Sequence, residues 1–197
     1  VVAKDESNLY FDTLVHGIYQ NNEEFTLDYL LAILNSKPAT YIYRILHDIK
    51  GKVFAKISLD KLAAFPIPKP PSEIRTKIEL FAVNLVSNLS ELHKIRNKFS
   101  NYFSGQYKLD KLPKKLENWN ELSFATFIAE LNKAIKTAGQ TPLTKKDEFE
   151  WLDLFEENKT KAQILKSQIE TTEKAIDKMV YELYGLSEEE INIVEGN

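Results

Sequence analysis

Hydrophobic positions along the chain fall into two long seams. From Ile74 the register runs Ile78, Phe81, Leu85, Asn88, Leu92, Ile95 and Phe99, in alternating steps of four and three. A second register runs Phe155, Asn158, Ala162, Leu165, Ile169, Thr172, Ile176, Met179 and Leu183. Such spacing lays one apolar stripe along an α-helix and sets two such helices against each other. The pattern predicts long helices over 72–99 and 151–184, paired antiparallel, with Ser72 as the N-cap of the first. Asn88, Asn158 and Thr172 put polar side chains into the seams, a device that commonly fixes register. Gly185 suits a left-handed cap at the end of the second helix. Ser187 followed by Glu190 reads as a capping box that opens a last short helix.

The insert between the seams, 100–150, is also predicted to be helical. Ser123 caps a run presenting Phe124, Phe127, Ile128 and Leu131, which Gly139 stops, and Thr144 caps the run into Trp151. Trp119 and Trp151 read as core anchors rather than stacking platforms. The first 71 residues look different. Leu9-Tyr10-Phe11, Leu14-Val15 and Ile18-Tyr19 have β character, and Val53-Phe54-Ala55-Lys56-Ile57 alternates like a half-buried strand. Between them Thr26 caps a helix carrying Leu27, Leu30, Leu31 and Leu34. Pro38 suits the first turn of a second helix, with Tyr41, Tyr43 and Ile45, that Gly51 ends. Ser58 caps a short turn, and Phe65-Pro66-Ile67-Pro68 must be extended because proline cannot continue a helix or donate to a ladder. The expected fold class is α+β, predominantly helical: a small mixed α/β unit over 1–71, then the long-helix pair with its helical insert over 72–197.

Composition narrows the chemistry. With 197 residues and 43% apolar content the chain can bury a proper core in one or two domains. It has no cysteine, which removes disulfides, thiolate metal sites and cysteine nucleophiles together. Its glycines, at 17, 51, 105, 139, 185 and 196, are never closer than eleven positions, so no G-x-G-x-x-G or G-x-x-x-x-G-K phosphate loop exists. His16, His47 and His93 are scattered, without metal-ligand spacing. No apolar run reaches the roughly 18 residues of a membrane span. The chain starts on Val1-Val2-Ala3 and reads as a soluble, cytoplasmic piece of something longer. Its net charge of −3 hides an asymmetry: residues 37–115 carry sixteen Lys or Arg against six acids, whereas 116–197 carry nine against seventeen. A basic middle with interleaved aromatics is the footprint a phosphate backbone wants.

The segments Leu30 to Ser36 (LLAILNS), Lys56-Ile57-Ser58-Leu59 and Phe65-Pro66-Ile67-Pro68, followed by a long helix, resemble the TaqI-like C-terminal specificity region of type IIG restriction–modification enzymes and their adenine-methyltransferase relatives. The tail from Ile176 to Ile191 (IDKMVYELYGLSEEEI, opening on that isoleucine) looks like the ending such enzymes have. The resemblance implies a partial target-recognition module over 1–71 that holds double-stranded DNA. It also implies a parent with an S-adenosylmethionine-dependent methyltransferase core, with or without a nuclease, and with Mg as a second candidate cofactor. The Asn-Pro-Pro-aromatic motif of that core is absent, so no catalytic residue, metal ligand or cofactor site is assigned to this chain, which is expected to be monomeric. Arg44, Lys50, Lys52 and Lys56 are the candidates for phosphate contacts around the Gly51 turn. Tyr41, Tyr43 or a bidentate Arg44 are the candidates for base edges. The competing class is a coiled-coil interaction or scaffold module without DNA contact, which the acidic final third favours and the basic middle opposes.

Overall fold

Local capping chemistry starts nearly every helix. In the computed structural model, which describes residues 2–5, 15–20, 24–47 and 58–196, Thr26 accepts from the Tyr29 amide and opens α1 (Leu27–Asn35). Ser36 accepts from the Ala39 amide and opens α2 (Lys37–Leu46), with Pro38 in its first turn. Ser58 opens α3 (Leu59–Ala63) in the same way. The first long helix, α4, spans Ser72–Gln106, so Ser72 is its first residue rather than its cap. The short α5 (Lys114–Glu117) and a 3-10 turn (Trp119–Glu121) lead to α6 (Phe124–Thr137), which Ser123 caps. The second long helix, α7 (Lys145–Tyr184), begins where Thr144 and Asp147 cap each other reciprocally at 3.3 and 2.8 Å. Gly185, at φ 66°, ends it in the left-handed conformation. The capping box of Ser187 and Glu190 then starts α8 (Glu188–Glu195).

The chain divides into two compact units. Unit 1 comprises residues 1–85 and 171–197, and unit 2 residues 86–170. The core of unit 1 gathers Tyr29, Ala32, Ile33, Ala39, Phe65, Ile78, Ala82, Ile176 and Val180. That of unit 2 is aromatic: Phe99, Phe103, Trp119, Phe127, Trp151 and Phe155 pack with Leu116, Leu131 and Ile135. Both tryptophans are buried there as anchors. Every position of the two seams is buried or half-buried. In unit 1 the opening turns of α4 meet the closing turns of α7; in unit 2 the closing turns of α4 meet the opening half of α7. Asn158 satisfies its amide within its own helix, donating to the Leu154 carbonyl at 2.8 Å, rather than bonding across the seam.

The α+β class is not what forms. Among the described residues every regular element is helical and no strand occurs. Val15, Ile18 and Tyr19, which carry β-type side chains, are all exposed, Tyr19 to 80%. Branched and aromatic residues favour a strand only where they pack on a pleated, half-buried face, and among the described residues no sheet provides one. The expected strand over 53–57 and the Gly51 turn lie outside the described residues. Phe65 to Pro68 is non-helical, as its prolines require. Two tyrosines hold this strap in place of a neighbouring strand: Tyr29 donates its hydroxyl to the Pro68 carbonyl and Tyr184 donates to the Pro66 carbonyl, both at 2.8 Å.

Candidate nucleic-acid interface

The candidate residues on α2 occupy three different environments. Pro38 and Ala39 bury the first turn, and the helix runs outward from there. Tyr41 is half-buried. Tyr43 leans into the core of unit 1, its ring 6.1 Å from Phe65 and edge-on to His47 at 4.7 Å. Its hydroxyl is buried with no partner among the described residues. Arg44 is exposed in the last turn and makes no ion pair among the described residues. A cation there complements the negative end of the helix macrodipole. Exposed Ile45 and Leu46 flank it. Lys50, Lys52 and Lys56 lie outside the described residues.

The base of α2 is pinned by a polar knot with no signature along the sequence, because its members are far apart in it. The Lys37 amide donates to Asp177 Oδ1 at 2.9 Å, across a separation of 140 residues. The Lys37 ammonium pairs with Glu195 at the end of α8, and the Tyr181 hydroxyl donates to the same carboxylate at 2.6 Å. Burial raises the Asp177 carboxyl above its ordinary value, with the Glu195 charge adding to it and the Lys37 amide and ammonium opposing. The hydrogen bond from Lys37, followed by that from Tyr181, lowers Glu195.

A raised carboxyl binds its proton more tightly folded than unfolded. Its contribution is therefore complete below the unfolded value of about 3.9 and is lost as pH rises through the folded value. Asp177→Asn keeps an acceptor for the Lys37 amide without the charge, so its stability should fall less than that of the unaltered protein as pH rises from about 4. Asp177→Ala strips the acceptor and should cost about 1 kcal/mol, the net worth of one hydrogen bond, because the Lys37 amide is only partly buried. Thermal melts of the three proteins from acid to neutral pH check this. Superimposable pH profiles for the Asn variant and the unaltered protein would refute it.

Among the described residues no cluster of His, Asp and Glu is placed to hold a metal ion, and no helix is long and apolar enough to cross a membrane. What unit 1 offers is an exposed helix end over a pinned base, beside a tyrosine-tied strap. Residues 1–67 match the TaqI-like C-terminal specificity domain, in agreement with the LLAILNS and Pro-Ile-Pro resemblance. Over those residues the chain is similar to a specificity domain. Residues 71–180, more than half the chain, match the family described as a domain of unknown function (DUF8810), and the chain belongs to that family. The two matches meet at the strap, and the tail from 181 onward falls in neither. No curated protein and no solved structure matches the chain.

Proposed function

We propose that this chain is the DNA-recognition region of a type IIG-like restriction–modification enzyme. It holds a double-stranded target for an S-adenosylmethionine-dependent adenine methyltransferase core, with or without a nuclease, elsewhere in the parent. The observation that carries the reading is the match of residues 1–67 to a TaqI-like specificity domain. The exposed Arg44, without an ion pair among the described residues and followed in sequence by Lys50, Lys52 and Lys56, supports it as a run of phosphate contacts. In this reading Tyr41 is the tyrosine better placed for a base edge, since Tyr43 packs against Phe65.

Duplex binding by the chain should weaken linearly in log K against log salt, by about 0.9 per phosphate neutralised. Replacing Lys50, Lys52 and Lys56 together with Gln should make that slope shallower by about 2–3. An unchanged slope would remove these lysines from the interface. A concentration-dependent dimer that ignores duplex DNA in sedimentation would instead favour the scaffold class.

A further inference from the structure

Unit 2 carries exposed lysines on α6 and on the segment that precedes it. The segment after α4 folds back along that helix: Gln140, just past its end, donates to the Tyr107 carbonyl at 2.6 Å, and the Lys115 ammonium reaches Glu130, midway along it, at 2.6 Å. Segment and helix therefore run in opposite directions. Lys108, Lys111 and Lys114 are exposed on the segment, and Lys133 and Lys136 on the helix. Elsewhere in the unit Lys94 pairs with Glu91, Lys161 with Glu157 and Lys166 with Glu121, while Lys98 and Lys146 make no ion pair among the described residues. Lys108, Lys111, Lys114, Lys133 and Lys136 make no ion pair among the described residues. Of the acids on the segment and on α6, Glu130 is paired with Lys115 and Glu121, in the 3-10 turn between them, with Lys166 on α7; Asp110 and Glu117 are the others in the segment, and Asp147 on α7 lies near Tyr107.

The backbone at Lys108 points the same way. Leu109 donates its amide to the Ser104 carbonyl at 2.9 Å, closing α4 in the manner that wants a glycine in the left-handed conformation. Glycine takes that conformation at 139, 185 and 196, but here it is Lys108, at φ 46°. A side chain in this conformation costs about 1–2 kcal/mol. A cation held against that preference is a pointer to function. From residue 130 to 136 the helix rises about 9 Å, the span of about three phosphates on one strand.

We propose that the ridge formed by Lys108, Lys111, Lys114, Lys133 and Lys136 is a second, sequence-independent grip on the backbone of double-stranded DNA. The choice of DNA among polyanions rests on the reading of residues 1–67 as a specificity region. The grip itself belongs to unit 2.

The test uses the full chain and a labelled duplex of random sequence, titrated across a salt series. The variant with Lys111, Lys114, Lys133 and Lys136 all changed to Gln should show a slope shallower by about 3–4, whereas Lys61→Gln with Lys174→Gln and Lys178→Gln should leave it unchanged. Lys108→Gly separates grip from stability: it should raise the melting temperature and weaken binding at once. An unaltered slope in the ridge variant, with the Lys50, Lys52 and Lys56 variant impaired, overturns the ridge and leaves the first-unit reading standing. The reverse result supports the ridge and removes the first-unit lysines. Binding to phosphatidylserine vesicles but not to the duplex overturns the assignment to DNA.

Discussion

Phe127→Ala should lower the stability of unit 2 by about 3–5 kcal/mol, a large share of the 5–15 kcal/mol that holds an ordinary domain folded. Phe127 is fully buried, and its ring lies 4.7 Å from Phe155, 5.6 Å from Phe103, 5.8 Å from Phe99 and 6.0 Å from Trp151. Removing it deletes burial, leaves a cavity and breaks four ring contacts together. The other rings come from two different helices, α4 and α7, so no single element can shift to close the gap. The chain has only two tryptophans, and both lie in this core. Urea unfolding followed by tryptophan fluorescence therefore reports unit 2 alone. At about 1–3 kcal/mol per molar urea, the midpoint should fall by about 2 M. Phe127→Leu, which keeps most of the volume, should cost less than about 1.5 kcal/mol. A loss below about 1 kcal/mol for the alanine variant would mean that the aromatic cluster is not the keystone of the unit.

Tyr29→Ala should cost unit 1 a comparable amount, about 3–5 kcal/mol. Tyr29 is fully buried, stacks on Phe25 at 6.1 Å and ties α1 to the strap through the Pro68 carbonyl. Tyr29→Phe isolates the tie and should cost about 1 kcal/mol, the net worth of one hydrogen bond. Burial pushes the Tyr29 hydroxyl up to about 12 and raises that of Tyr184. The folded state holds these protons more tightly than the unfolded chain. Their contribution is thus complete below the ordinary tyrosine value of about 10 and is lost as pH climbs towards the folded value. Alkaline unfolding followed by far-ultraviolet circular dichroism should accordingly be shallower between pH 10 and 12 in Tyr29→Phe than in the unaltered protein. Equal alkaline sensitivity in the two would show that this hydroxyl stays outside the titration.

What could be read along the chain was whatever is decided within a few residues. Thr26, Ser58, Ser123 and Ser187 each bond an amide three positions on, so their caps have short-range signatures. The seams are likewise local, since heptad spacing directs side chains whatever lies opposite. The β character of Val15, Ile18 and Tyr19 misled because strand formation needs a covering face, which no local pattern supplies. The Asp177–Lys37 and Tyr29–Pro68 ties were invisible for the complementary reason: each joins residues that only the folded chain brings together. Of the interface candidates, Arg44 was legible as a cation near a helix end, while packing against Phe65 set Tyr43 apart from Tyr41. The proposed lysine ridge depends on the fold-back of 107–115 onto α6, which joins residues distant in the sequence.

The strap between the two matched regions has a further consequence for how copies of this chain meet. An extended stretch on a surface is ordinarily a template for edge-to-edge aggregation, because alternating amides and carbonyls invite a foreign strand. Here Pro66, Pro68, Pro70 and Pro71 have no amide hydrogen to offer, and tyrosine hydroxyls already occupy the carbonyls of the first two. The chain thus keeps an extended connector in the open while denying it the ladder on which amyloid-like stacking would begin.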